Sequence, residues 1–137
     1  MHTKYTSSFR IFPEHTNHMA PCIFGGAFFS EMDLAAANCV YRALYSSKCQ
    51  GAVTHKANVT FHKPTYQGDL IFIEAEIKDC NHKSIVVDTK AYRESEDSER
   101  ELVAEVEFVF ITIETTECMK DKPNRLPYKG HGLNLES

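Results

Sequence analysis

The chain has 137 residues, 42% of them hydrophobic and 25% charged, with a formal net charge of -4. That is enough for one globular domain with a real core and too little for two. The acidic balance excludes nucleic acid or an anionic membrane as the main partner, while a local basic patch for a phosphorylated small ligand stays open. Five cysteines, Cys22, Cys39, Cys49, Cys80 and Cys118, contain no Cys-x-x-Cys pair, and the stretch Met1 to Ser8 has no apolar run. With no window approaching a membrane span, reduced thiols and a cytoplasmic location are the expectation.

Tyr5 to Phe12 alternates, with Tyr5, Phe9 and Ile11 on one side, and stops at Pro13, which predicts a first strand. Glu14 to Cys22 reads as a polar loop. Phe24 to Tyr45 is the one convincing helix, entered through Gly25-Gly26 and ended by Ser46-Ser47-Lys48. Setting about 100° per residue from Phe29 puts Asp33 near ~40°, between Val40 at ~20° and Leu44 at ~60°, with Ala36 and Ala37 flanking. Glu31, Asn38 and Arg42 cluster opposite, at about 180° to 220°, and supply the solvent face. Asp33 is therefore expected in the middle of the apolar stripe. A carboxylate there is costly unless hydrogen bonds or a cation compensate, so it is either a structural group bonding nearby backbone or a functional acid. Cys39, at about 280° on the same wheel, is expected to be packed and inert.

After Gly51 the period changes to two. Val53, Ala57, Val59 and Phe61 are expected on one face of a strand and Thr54, Lys56, Asn58 and Thr60 on the other, until Lys63-Pro64 ends it. Tyr66 to Asp69 reads as a turn. Leu70 to Lys78 is the next strand, with Ile71, Ile73, Ala75 and Ile77 inward, and Asp79 to His82 turns again. Ser84 to Arg93 is a strand, Glu94 to Arg100 a charged hairpin, and Leu102 to Ile113 the last strand. In it Leu102, Ala104, Val106, Phe108 and Phe110 share one face. The other carries Val109, Ile111 and Ile113, which predicts cover on both sides. The resulting α+β domain occupies 1–114, and 115–137, with Pro123, Pro127, Gly130 and Gly132, reads as an irregular C-terminal tail.

The element order, the run Thr16-Asn17 … Ile23-Phe24-Gly25-Gly26 … Ser30-Glu31-Met32-Asp33, and the Phe-x-Lys-Pro … Gly-Asp run at Phe61, Lys63, Pro64, Gly68 and Asp69 resemble the hot-dog-fold acyl-CoA thioesterases. The resemblance spans about Phe9 to Thr112. It implies a hot-dog fold, in which a five-stranded antiparallel sheet wraps one long central helix in the order first, third, fourth, fifth, second. It also implies homodimers or dimer-based higher oligomers joined through the second strand, here Val53 to Phe61, with active sites built from both chains. Hydrolysis of an acyl-CoA thioester to free coenzyme A and a carboxylic acid, with no cofactor, is the implied activity.

The residues suit that chemistry. Amides at the helix start, near Gly25 and Gly26, can aim at a developing oxyanion. Asp33 would then be general base or nucleophile. By resemblance Asn17 orients water or the carbonyl. Family members place that asparagine one residue closer to the Gly-Gly pair with a glycine between, whereas here Ala20 and Pro21 stand in that interval; His18 is the other occupant of the position. Phe24 and Phe29, with Phe28, are candidates to line the acyl group, and Lys63 and Lys83 to meet the phosphates of coenzyme A.

Two rival readings use the same stretch. A hot-dog hydratase or dehydratase would pair His18 with Asp33, or His15 with Glu31. A domain that binds acyl-CoA without turnover is the other. His15-x-x-His18 beside Glu14 lacks a third ligand at a typical spacing, and no metal is expected.

Overall fold

The computed structural model describes residues 2–16, 19, 22–23, 25–44, 50–94, 96–97 and 99–114. The expected irregular tail at 115–137 lies outside them, as do Asn17, His18 and Phe24.

Strand β1 (Lys4–Arg10) is followed by a 3-10 turn at Pro13–His15 and by α1 (Gly25–Ala43). Strands β2 (Gln50–Phe61), β3 (Leu70–Cys80), β4 (Ser84–Glu94) and β5 (Arg100–Glu114) complete one antiparallel sheet in the order β1-β3-β4-β5-β2. This is the hot-dog architecture the resemblance implies. Strand β2 is an edge, and no described strand pairs with its outer backbone groups, which suits them to another strand.

The alternation in β3 holds: Ile71, Ile73, Ala75 and Ile77 are buried. Opposite them on β4 and β5 the inward residues include Ile85, Val87, Ala91, Val106, Phe108 and Phe110. Each of the isoleucines, valines and phenylalanines taken out of water contributes about 1.5–3 kcal/mol. The turn between β2 and β3 closes at Gly68, whose φ of 94° suits glycine alone, and the Asp69 carboxylate accepts from the Tyr66 amide at 2.9 Å.

The helix presents a different stripe from the one its wheel suggests. Its buried residues are Phe28, Met32, Ala35, Ala36, Cys39 and Val40, so the core line is centred on small residues that let the sheet approach closely. Asp33 sits at the margin of that line and is half-buried. Glu31, Asn38 and Arg42 do not form the solvent face either: Asn38 Nδ2 donates to the Tyr5 hydroxyl at 3.2 Å and Arg42 to the Lys4 carbonyl at 3.1 Å, over β1. Leu34 and Tyr41, 56% and 66% exposed, take that place instead.

Three β-bulges bend the sheet around α1. They fall between Thr54 and Lys56 in β2, between Ile77 and Asp79 in β3, and in β5, where Ala91 pairs with Ala104 but Tyr92 with Leu102. Each inserts one residue and reverses the alternation beyond it. In β2 the extra residue is His55, so Thr54 faces the helix with Ala57, Val59 and Phe61, and Val53 faces out, 47% exposed. This corrects the expected faces of Val53 and Thr54. In β5 the same device leaves Leu102 half-buried opposite Tyr92 and buries Val103, so Leu102 does not share the face of Ala104. Val109, Ile111 and Ile113 are half-buried on the outer face.

These assignments predict unequal costs. In denaturant unfolding, Phe108→Ala is expected to lose about 3–5 kcal/mol, while Val53→Ser stays within about 0.5 kcal/mol as an exposed position does. A large loss at Val53 would restore the strict alternation.

Candidate functional site

The helix starts where the sequence predicts, at Gly25, and both Gly25 and Gly26 are exposed. A helix start leaves its first amides without intrahelical partners and carries a partial positive charge. No acidic residue lies in the first turn of α1 to neutralise it. Among the described residues a Cβ on Gly25 would meet the Phe61 ring alone, at an ordinary 3.7 Å, and its φ is not left-handed. Neither backbone strain nor packing against the described residues demands glycine there.

Asp33 lies about 12 Å further along the axis, at 1.5 Å per residue. Across the gap between α1 and β2, Thr54 Oγ1 donates to Asp33 Oδ1 at 2.6 Å. No second protein hydrogen bond to this carboxylate occurs among the described residues. Thr54 is absent from the residues the sequence points to. Its signal was the interruption at His55: strict alternation from Val53 would turn a histidine inward between two apolar positions, and a bulge is what avoids that.

Phe29, one turn before Asp33, packs its ring 5.5 Å from Phe108 and is half-buried. Lys63 and Lys83 are not brought together. Lys63 follows β2 at the end of the sheet that holds the helix start, and Lys83 lies in the β3–β4 turn at the far end. The Lys63 ammonium bonds Glu101, which also accepts from Arg93 Nη2 at 2.6 Å, and Arg93 Nη1 lies 3.5 Å from Asp69. Hydrogen bonds from Lys63 and then Arg93 hold the Glu101 carboxyl below the usual carboxylate range.

His15 Nδ1 accepts from the Phe12 amide at 2.9 Å, and no bond joins His15 to Glu31 among the described residues. Cys39 is fully buried, with its Sγ 3.5 Å from the Thr3 carbonyl and 3.8 Å from that of Ala75.

With this geometry in hand, comparison by sequence decides the family: a sequence model of the thioesterase superfamily matches residues 21–99, more than half of the chain. The chain belongs to the thioesterase superfamily. No curated protein matches this superfamily member by sequence. Among solved structures it is similar to an acyl-CoA hydrolase from Staphylococcus aureus in complex with coenzyme A (TM-score 0.79, 21% identity, 97% of this chain and 73% of that chain). That structure carries an asparagine replaced by alanine, and the same hydrolase has been solved with an aspartate or a threonine replaced by alanine. A hexameric thioesterase from Yersinia pestis (0.74, 22%, 93% and 94%) and a 4-hydroxybenzoyl CoA thioesterase (0.77, 17%, 93% and 92%) are further likenesses. At these identities they are likenesses of fold.

No helix of the described residues is long and apolar enough to cross a membrane.

The buried thiol yields a prediction. Burial pushes Cys39 up to about 11 from 9.0. The unfolded chain thus releases its proton first, and the stability Cys39 contributes is intact below pH ~9 and lost as pH rises through ~11. Denaturant midpoints between those limits should fall more for the wild type than for Cys39→Ala. Equal slopes would show that the thiol is not protected in the native state.

Proposed function

We propose that this thioesterase-superfamily protein hydrolyses acyl-CoA thioesters, releasing coenzyme A and a carboxylic acid. The observation that carries the reading is the Thr54–Asp33 hydrogen bond beside the helix in a chain of this superfamily. One carboxylate oxygen is pinned and the other is left for the reaction, as an oriented general base or nucleophile requires.

As general base, Asp33 takes a proton from water while the water oxygen attacks the thioester carbonyl carbon. The carbonyl oxygen becomes an oxyanion facing the amides of Gly25 and Gly26, whose partial charge lowers the barrier. Collapse of the tetrahedral intermediate breaks the C–S bond, and the departing thiolate takes up the proton. As nucleophile, the same carboxylate would form an anhydride that water then opens. Asn17, or His18 in its place, orients the water or the carbonyl. Phe24 and Phe29 contact the acyl group. Lys63 and Lys83 meet the phosphates of coenzyme A, with Lys63 shared between them and Glu101.

Asp33 and the helix start of one chain are about 12 Å apart along the axis, too far to act on one carbonyl. A second copy, paired antiparallel along the free edge of β2, brings its own helix start toward Asp33. The protein is therefore proposed to act as a homodimer or a dimer-based assembly. The hexameric state of the Yersinia pestis thioesterase supports self-association. The replacement of an asparagine, an aspartate and a threonine in studies of the Staphylococcus aureus hydrolase supports a reading in which Asn17, Asp33 and Thr54 act here.

Thiol release from a panel of acyl-CoAs tests the reading. Asp33→Asn should lose at least about a hundredfold in kcat, and Thr54→Val, which keeps the shape but frees the carboxylate, about tenfold. Gly25→Ala should fold with unchanged or raised stability, since a Cβ has room there, yet lose activity by crowding the oxyanion. Full activity in Asp33→Asn would overturn the proposal.

A further inference from the structure

Strands β5 and β4 lie between β2 and β3 in the sheet, so the connection from β2 to β3 has to cross the sheet end past both. Arg93, near the end of β4, meets that crossing. Its Nη2 donates to Glu101 Oε2 on β5 at 2.6 Å, and its Nη1 donates to the Pro64 carbonyl at 3.3 Å and lies 3.5 Å from Asp69 Oδ2, just before β3. Glu101 also takes the Lys63 ammonium, and Asp69 accepts from the Tyr66 amide at 2.9 Å. Lys63, Pro64 and Tyr66 are thus each held by Arg93 or by a carboxylate it pairs. The His62 and Lys63 amides add bonds to the Val103 carbonyl, at 2.8 and 3.2 Å. Pro64 has no amide hydrogen to offer, which leaves its carbonyl as its one backbone hydrogen-bonding group, and Arg93 takes it.

What the crossing holds in turn is the segment that enters α1. The Thr65 carbonyl accepts from the Ile23 amide at 2.9 Å, Cys22 bridges Tyr66, and Ile23 bridges Thr16. Residues 65–66, 22–23 and 16 therefore form a small ladder. Ile23 stands two residues before Gly25, and Thr16 one residue before Asn17. The chain leaves this ladder at one point into the helix start and at another into the loop residue assigned to orient water or the carbonyl. A misplacement of about 1 Å in such groups costs on the order of a hundredfold in rate.

We propose that Arg93 is a positioning residue of the hydrolase site: by fixing the Pro64 carbonyl it holds the ladder that sets Ile23 and Thr16, and through them the helix start and Asn17. The inference rests on the hydrolase reading above. Arginine suits the task because its planar fork reaches a carboxylate and a carbonyl at the same time, which a single ammonium does not.

The test measures kcat and KM on the acyl-CoA panel, with melting temperatures, for the wild type, Arg93→Met and the double variant Arg93→Met/Glu101→Gln. Arg93→Met should lower kcat by at least about tenfold and leave KM within about twofold. Its melting temperature should fall, because Glu101 and Asp69 lose their partner. The double variant, which also removes the orphaned Glu101 charge, should recover most of the lost melting temperature and none of the lost kcat. Should Arg93→Met fail to fold, the double variant carries the same comparison with the wild type. Return of kcat together with melting temperature assigns Arg93 to stability and overturns the inference. A kcat within about twofold of the wild type in a folded Arg93→Met overturns it too, as does a raised KM at unchanged kcat, which assigns Arg93 to substrate binding. These outcomes leave the hydrolase reading standing. A wild type that cleaves no acyl-CoA overturns that reading and the inference with it.

Discussion

The close packing of α1 against the concave side of the sheet is the constraint on which everything else depends. Its contact line runs through Met32, Ala35, Ala36 and Cys39, and short side chains there bring helix and sheet together. A flat sheet could not follow a helix so closely. The bulges at His55, Lys78 and Val103 give β2, β3 and β5 the bend they need, at the cost of one unpaired residue each. The same bends decide which side chains look inward at the sheet's margin, and so chemistry is a by-product of curvature here.

The order of elements, the inward residues of β3 and the helix start at the Gly-Gly pair could all be read directly, because each follows from a local rule. Alternation, turn chemistry and a change of period need no knowledge of distant neighbours. What could not be read depends on tertiary contact. The wheel centred the stripe on Phe29, Asp33, Val40 and Leu44, and Val40 and Leu44 are indeed buried, but the sheet extends the buried side through Met32, Ala35 and Cys39, where it can come nearer, and leaves Asp33 at the margin. Asp33 was recognised as out of place. Its partner Thr54 was not, since strict alternation turned that residue outward and only the pairing with β5 reveals the extra residue at His55.

The candidate site also shows how an acid can be held without being buried in a core. At the margin of the packed line, Asp33 is half-buried and pinned through Oδ1 by one hydroxyl, with no second protein partner among the described residues. The helix start, about 80° round and about 12 Å along the axis, offers the complementary charge but cannot meet it within one chain. An edge strand with free backbone groups lies beside both. Pairing of two copies along that edge would satisfy the strand and complete the chemistry in one step.

The role of the β2 bulge is the central claim, and deletion of His55 and Lys56 together tests it most directly. The bulge lets Thr54 face the helix three residues before Ala57; removing both residues sets Thr54 directly beside Ala57, on the opposite face of the strand, while the inward run Ala57, Val59 and Phe61 stays in place. The account predicts a variant that keeps its β-sheet circular dichroism and loses acyl-CoA hydrolysis by at least about tenfold, as expected when a positioning hydrogen bond is removed. A folded variant that hydrolyses acyl-CoA as fast as the wild type would contradict it.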